Sequence, residues 1–208
     1  MQVVIVIGEP NQADIDGRTK ERFIKEADNF KKRLIEEFGF LEDDFIVLTG
    51  GLQLPISSQL EKIIFERWKN DIILCYIGHG AENGWGLSGY TDNEVLVYEN
   101  LRILLELHCG NLIFLNTCCY ALAAEEAVSS HFGDYLLIGA MAADKRGCID
   151  NFLDTILNYW LNHGSFVQPK IGLPSYGNGI PLWRGNESLS NLMHYRALHF
   201  MKRVAADS

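Results

Sequence analysis

Five short apolar runs, each followed by polar or glycine-rich residues, recur along the first two thirds of the chain. Their length and their content of Val, Ile, Leu and Phe are typical of strands that are buried on both faces, as in parallel sheets. Segments with apolar residues at helical spacing separate these runs. The alternation predicts an α/β fold, a doubly wound α/β/α sandwich with a mostly parallel central sheet. The predicted strands are Val3–Ile7, Phe45–Leu48, Ile72–Ile77, Asn111–Leu115 and Tyr135–Gly139.

The predicted helices differ in how clearly the sequence marks their ends. Thr19–Phe38 carries its apolar residues on one face, and Gly39 is a natural C-terminal cap. Ser57 or Ser58 is expected to cap the next helix. The stretch Ala81–Asn93 is rich in glycine and polar residues, which predicts a loop or a short hairpin. The other predicted helices are Leu60–Trp68, Val97–Leu107, Tyr120–Ser129, Ile149–Leu161 and Leu189–Val204.

Length, charge and cysteine content narrow the class of protein. A length of 208 residues is typical of one domain, which we place at residues 1–164, with an extension over residues 165–208 that packs on this domain or completes it. A net charge of −9 without a basic stripe argues against nucleic acid and membrane surfaces as partners. No signal-peptide pattern is visible, and an odd number of cysteines argues against a disulfide framework, so we expect a cytoplasmic protein.

Two of the predicted strands end in residues that are capable of chemistry. One is followed by an HG pair at His79, and the other by the sequence NTCC, in which Cys118 is the first cysteine. In an open parallel sheet, functional residues collect at the carboxyl ends of the strands, so His79 and Cys118 are expected to lie close together. A cysteine beside a histidine can act as a nucleophile that is activated by a general base.

The order of these motifs resembles the caspase-like cysteine peptidases, a group that includes caspases, metacaspases, legumains and clostripain-type enzymes. The segment Ser88–Leu101 is also similar to the one between the His and Cys strands of such proteins, and the resemblance covers roughly the first 165 residues. It implies a caspase-like fold and a prokaryotic, cofactor-free endopeptidase without a metal. Such enzymes act by limited proteolysis of a partner protein, often in regulated cell death or defence.

The same resemblance implies a role for each residue of the site. Cys118 would be the nucleophile, His79 the general base, and the amides of Gly80 and Cys118 the oxyanion hole. From the residues alone, the positive end of the helix Tyr120–Ser129 would favour a Cys118 thiolate. Cys119 is expected to be a core residue beneath that helix.

The residues that would select the substrate depart from the family pattern. Metacaspases carry an Asp two residues before the cysteine, which favours a basic P1 residue, whereas this chain has Asn116. Asp144 falls near another position that shapes the same pocket, and Arg18 lies where caspases carry an Arg that binds a substrate Asp. Both Asp144 and Arg18 are equally well interpreted as solvated loop charges. We expect a basic or uncharged P1 residue, with Trp85 and Trp183 as candidates for an apolar wall.

Two other functions stay open. Asn116, and the residues Cys119-Tyr120-Ala121 where relatives usually carry a Ser-Gly after the cysteine, would also suit a catalytically inactive caspase-like scaffold that binds a regulatory partner. A small-ligand α/β domain ranks last because the chain lacks G-x-S-x-G, Walker and G-x-G-x-x-G motifs. Zinc at His108 and Cys109 is disfavoured, because adjacent residues lack the C-x₂-C spacing of zinc ligands.

Overall fold

A computed structural model of the protein describes residues 1–8, 20–49, 55–87, 95–141, 151–162 and 182–207. The strands in these residues are, in chain order, β1 (Gln2–Ile7), β2 (Phe45–Thr49), β3 (Ile72–Ile77), β4 (His79–Ala81), β5 (Gly84–Gly86), β6 (Val95–Val97), β7 (Leu112–Asn116), β8 (Tyr135–Gly139) and β9 (Leu182–Gly185). The α-helices are α1 (Lys20–Phe38), α2 (Ile56–Glu66), α3 (Tyr98–Leu105), α4 (Glu125–Ser129), α5 (Phe152–Asn162) and α6 (Ser188–Asp207).

Six of these strands form the central sheet, in the order β2-β1-β3-β7-β8-β9. Every pairing in it is parallel except the last, in which β9 runs antiparallel to β8 at the edge. A second, antiparallel sheet has the order β4-β5-β6. The mixed α/β class and the mostly parallel central sheet are therefore confirmed, and the sequence-based bounds of β1, β2, β3, β7 and β8 agree within one residue.

Alternate residues of the central strands face two separate apolar cores. One core contains Val3, Ile5 and Ile7 of β1 together with residues of α1, α5 and α6. The other contains Val4 and Val6 together with residues of α2, α3 and α4. Because strands buried on both faces need apolar residues at every position, β1 and β3 read as continuous apolar runs. Helices thus cover both faces of the sheet, an arrangement compatible with an α/β/α sandwich.

Helix boundaries confirm some of the sequence-based predictions and overturn others. Gly39 follows α1 with a φ of +67°, the left-handed conformation that a C-terminal cap needs. The predicted serine caps are wrong, because α2 begins at Ile56 after Pro55 and has no side-chain cap bond, so that Ser57 and Ser58 lie inside the helix. Val97 ends β6 instead of beginning α3.

The described part of the C-terminal segment joins the layers already formed. Its strand β9 extends the sheet, and its helix α6 packs beside α1 and α5 with Met193 and Ala197 fully buried. Arg196 donates hydrogen bonds to the carbonyl oxygens of Phe38 and Gly39, at 3.0 and 3.1 Å. Residues 182–207 therefore contribute to the same core as the residues before them.

Two features bear on the expectations that were drawn from composition. The cysteines among the described residues, Cys75, Cys109, Cys118 and Cys119, are free thiols. In the described ranges, no helix combines the length and the apolar character that crossing a membrane requires.

Candidate active site at the carboxyl ends of two strands

The neighbouring strands β3 and β7 end side by side at one edge of the central sheet. They pair in parallel with Tyr76 opposite Asn116, and the Thr117 N–H extends the ladder by donating to the Tyr76 carbonyl oxygen at 3.1 Å. His79 follows the end of β3, and Cys118 and Cys119 follow the end of β7, so the histidine and the cysteine pair lie at the edge of the sheet that the sequence predicted.

His79 is held where the chain turns from β3 into the hairpin formed by β4 and β5. The buried Tyr76 hydroxyl donates to the carbonyl oxygens of His79 and Gly86, at 2.6 and 2.8 Å. The imidazole packs edge-to-face against Phe23 of α1, with 5.6 Å between the ring centroids, and its Nε2 atom is buried. Both backbone and ring of His79 are thus fixed by large aromatic residues of the core.

Gly80 lies directly against the two cysteines. A side-chain carbon at this position would stand 2.6 Å from the Cys119 carbonyl oxygen and 2.8 Å from Cys118 Cβ, and would overlap the Cys118 sulfur. Only a glycine permits this approach. Because Gly80 has no side chain, the backbone that follows His79 can contact the turn that follows β7.

A cleft of about 610 Å³ opens beside this contact and is lined by Gly80, Ala81, Glu82, Asn83, Cys119 and Tyr120. Cys119 is half-buried, so part of this residue is exposed. The walls come from two elements, the β4–β5 hairpin and the turn after β7. A peptide in this cleft would meet Cys119 on one side and the hairpin that carries His79 on the other.

Cys118 has the opposite environment. Its side chain is fully buried in the core on the α2–α4 face, and its Sγ donates a hydrogen bond to Asn116 Oδ1 at 3.0 Å. Leu112 and Phe114, at the alternate positions of β7, face the same core. The expected burial of the two cysteines is therefore reversed, because the alternation of β7 continues to Cys118 and turns it inward. The catalytic role assigned to Cys118 stays a prediction.

Asn116 is fully buried, and its amide is committed to neighbouring protein groups. Its Nδ2 donates to the Ala121 carbonyl oxygen at 2.8 Å and to the Tyr98 hydroxyl at 3.4 Å. Burial in the first place, and then the adjacent Cys118, raise the pKa of Tyr98, so its hydroxyl is neutral at physiological pH. These contacts give no support to the predicted contact between Asn116 and substrate.

The helix predicted to begin beyond Cys118 is not present in the expected form. Tyr120 has a left-handed backbone with φ of 55°, a single 3₁₀ turn covers Ala121–Ala124, and the short α4 begins only at Glu125. In the described residues, the helical turn nearest to Cys118 is this 3₁₀ turn, and the α-helix begins only after it, so the structure gives no support to the stabilisation of a thiolate by an α-helix dipole. The sequence Ala-Leu-Ala-Ala showed helix propensity but did not reveal the turn that precedes it.

The remaining predicted site residues divide between the core and the undescribed stretches. Arg18 and Asp144 lie outside the described residues. Trp85 is fully buried and stacks on Tyr76 with 4.3 Å between the ring centroids, so its predicted role as a cleft wall is wrong. Trp183 of β9 packs partly buried against the core on the α1 face.

Sequence reasoning missed two polar groups beneath the site. The Tyr98 hydroxyl, at the start of α3, lies 4.0 Å from Cys118 Sγ. The Thr117 hydroxyl is buried and has no hydrogen-bond partner among the described residues. The in-out alternation along β7, carried two residues past the strand, was the signal that could have located Thr117 and distinguished the two cysteines.

Among the described residues, no group of three His, Cys, Asp or Glu side chains could hold a metal ion. His108 instead hydrogen-bonds to His131, with 2.7 Å between Nδ1 and Nε2, while the adjacent Cys109 is exposed.

The arrangement at the strand ends therefore combines a half-buried cysteine that lines a cleft with a histidine in the hairpin that follows the adjacent strand. Those are the components of acyl transfer through a covalent thioester. Among known proteins, neither a family model nor a curated sequence matches this chain.

Proposed function

We propose that the protein is a caspase-like cysteine endopeptidase in which His79 and Cys119 form the catalytic dyad. The observation that carries the proposal is the position of Cys119, which lines the cleft beside Gly80 in the turn after β7, while His79 follows the neighbouring strand β3. The mostly parallel sheet, flanked by helices on both faces, is the architecture that the family resemblance requires.

Cys119 suits the role of nucleophile better than Cys118 for two reasons. A nucleophile must reach a peptide carbonyl, and Cys119 lines the cleft whereas Cys118 is fully buried. The Cys118 thiol also donates its hydrogen to Asn116 inside an apolar core, an environment that disfavours a thiolate. We therefore transfer the role that the sequence suggested for Cys118 to its neighbour.

The proposed reaction passes through a covalent thioester between Cys119 and the substrate. His79 accepts the proton of the Cys119 thiol, and the thiolate attacks the peptide carbonyl carbon, forming a C–S bond. The backbone amides of Gly80 and Cys119 are the candidate donors to the oxyanion. The C–N bond then breaks as the imidazolium gives its proton to the leaving amine. Water, deprotonated by His79, hydrolyses the thioester and restores the thiol.

The proposed substrate is a partner protein that is cut at a basic or uncharged P1 residue. With Cys119 as nucleophile, the family position two residues earlier is Thr117, which is neutral like Asn116. Both are uncharged, so neither repeats the acidic residue that favours a basic P1 residue in metacaspases. In the same pocket Asp144 would favour a basic P1 residue and Arg18 an acidic one, so these two proposed roles are alternatives.

The competing function is the inactive caspase-like scaffold, and it makes a distinct experimental prediction. A mixed library of fluorogenic peptides is to be incubated with the wild type and with Cys119→Ala, Cys118→Ala and His79→Ala. We expect cleavage that is lost in Cys119→Ala and His79→Ala but retained in Cys118→Ala. Loss only in Cys118→Ala would restore the original choice of nucleophile. A silent wild type whose Cys119 reacts no faster than an ordinary thiol would favour the scaffold.

A further inference from the structure

We infer that Asn116 is a positioning residue, whose side-chain amide holds the turn that presents Cys119 to the cleft. The inference rests on the proposed function, because it concerns the geometry of the same nucleophile. It gives Asn116 a task different from substrate binding.

The amide closes the turn from inside. Asn116 is the last residue of β7, and its Nδ2 reaches forward to the Ala121 carbonyl oxygen at 2.8 Å. Cys119 therefore lies within a loop whose two ends are joined by this one hydrogen bond. Within the same loop Tyr120 adopts a φ of 55°, a conformation that non-glycine residues keep only where their surroundings hold them.

Backbone hydrogen bonds fix both ends of this loop to the next strand, and the Asn116 amide adds a side-chain link across it. The Ala140 N–H donates to the Asn116 carbonyl oxygen at 2.9 Å, and the Leu122 N–H donates to the Met141 carbonyl oxygen at 3.1 Å. Removing the amide would leave the ends in place while the residues between them lose their link across the loop. A change in Asn116 is thus expected to alter the position of Cys119 more than the overall fold.

The same amide connects the turn to the hairpin that carries His79. Its second N–H donates to the Tyr98 hydroxyl at 3.4 Å, and the Tyr98 backbone N–H donates to the Asn83 carbonyl oxygen at 2.8 Å. Asn83 belongs to the β4–β5 hairpin and lines the cleft. Asn116 therefore contacts, through Tyr98, the element that must stay aligned with Cys119.

Only an amide satisfies all of these partners. Asn116 Oδ1 accepts from Cys118 Sγ, while Nδ2 donates to a carbonyl oxygen and a hydroxyl. An aspartate would keep the acceptor but would face the Ala121 carbonyl oxygen with a second oxygen atom, in a site with no exposure. A leucine would keep the branched shape of the side chain, with a somewhat larger volume, and would lose every hydrogen bond.

The test compares Asn116→Leu and Asn116→Asp with Leu112→Ala, a control on the same strand and facing the same core. We expect both Asn116 variants to lower kcat about 100-fold with little change in KM, because a displacement of about 1 Å at a reacting atom costs that much. Tyr98→Phe, which removes the hydroxyl that Asn116 and Cys118 contact and keeps the ring packing, is expected to lower kcat about threefold. Leu112→Ala is expected to lower stability while kcat per folded molecule is unchanged.

A second readout separates this inference from the proposed function. The alkylation rate of Cys119 at pH 7, relative to that of the exposed Cys109 in the same molecule, reports the environment of the thiol without any substrate. We expect the ratio to fall in Asn116→Leu and to be unchanged in Leu112→Ala. An equal kcat and an equal ratio in Asn116→Leu and wild type would overturn the inference. Absence of Cys119-dependent cleavage in the wild type would overturn the peptidase, and the alkylation ratio would then decide the role of Asn116 by itself.

Discussion

Histidine side chains occupy both edges of the central sheet, and their surroundings differ completely. At the carboxyl edge, His79 belongs to a hairpin whose following residues line a cleft together with the half-buried Cys119. At the amino edge, before β7 and β8, His108 and His131 lie buried against each other with exposed fractions of 1% and 7%. The amino-edge histidines are committed to hydrogen bonds inside the protein, whereas His79 is the one for which we propose a role in catalysis.

The histidine pair at the amino edge forms a complete hydrogen-bond chain. His108 Nε2 must donate to the Asn70 carbonyl oxygen, at 2.7 Å, because a carbonyl can only accept. His108 Nδ1 then accepts from His131 Nε2 at 2.7 Å, while His131 Nδ1 lies 3.1 Å from both the N–H and the carbonyl oxygen of Gly133. These hydrogen bonds join the three loops that precede β3, β7 and β8.

The largest expected effect is that removing a histidine lowers activity at the carboxyl edge of the sheet but lowers stability at the amino edge. We expect His79→Ala to lower kcat/KM about 10³-fold or more, because it removes the general base and acid. We expect His131→Ala to lower the free energy of unfolding by about 2 kcal/mol, since it leaves His108 Nδ1 buried without a donor. Peptide cleavage and urea unfolding of both variants check the pair. Equal losses of activity per folded molecule would remove the distinction between the edges.

A second prediction concerns the contact between the β4–β5 hairpin and the turn after β7, which carries Cys119. Gly80→Ala would put a carbon against Cys118 and the Cys119 carbonyl oxygen, so the two elements must move apart. We expect kcat/KM to fall about 100-fold and the free energy of unfolding to fall by about 1–3 kcal/mol. Gly86→Ala is the matched control, because the nearest atom to its added carbon is 3.7 Å away. Similar activity of the two variants would mean that the close approach at Gly80 is not needed.

The amino edge predicts a pH dependence of stability. Burial lowers the pKa of both His108 and His131, and their mutual proximity lowers that of His131 further, although Asp71 and Asp134 partly oppose these effects. The folded protein therefore binds fewer protons than the unfolded chain, and stability must fall as the pH drops below about 6.5, the ordinary histidine pKa.

Urea unfolding between pH 7.5 and 5.5 measures this loss, which we expect to be about 1–2 kcal/mol. The double variant His108→Gln, His131→Gln lacks both titrating groups and should show a flatter profile. A wild type whose stability is constant over this range would contradict the account of the pair.

The smallest predicted effect returns to the carboxyl edge. The Thr117 hydroxyl is buried without a partner among the described residues, so Thr117→Val should raise the free energy of unfolding by about 1 kcal/mol. Thr117→Ser keeps the hydroxyl and serves as the control. A loss of stability in Thr117→Val would show that the hydroxyl makes a hydrogen bond in solution.

The strands of the central sheet were predictable from sequence because each is a short apolar run, which is typical of a strand that is buried on both faces. The edge that carries the candidate site was predictable because the residues that follow parallel strands meet at one edge of the sheet. The ends of β3 and β7 were located within one residue, and His79 came directly from them. The choice between Cys118 and Cys119 depended on a finer property, namely how far the alternation of β7 continues after its last paired residue.

The details of the turn after β7 were beyond sequence reasoning for a physical reason. Its conformation depends on contacts between residues far apart in the chain, such as Asn116 with Tyr98 and Gly80 with Cys118. Local propensity favoured a helix from Tyr120, but the left-handed Tyr120 and the 3₁₀ turn after it replaced the first helical turns. The histidine pair was missed likewise, because nothing in the sequence links His108 to His131.

The most direct test of the central claim is the rate at which each cysteine of the native wild-type protein is alkylated at pH 7, resolved by peptide mass spectrometry. Cys109 is exposed and remote from the cleft, so it supplies the rate of an ordinary accessible thiol. The account predicts that Cys119 reacts at least about tenfold faster than Cys109 and loses this advantage in His79→Ala, while Cys118 reacts only on unfolding. Rapid alkylation of Cys118, or a Cys119 no faster than Cys109, would contradict it.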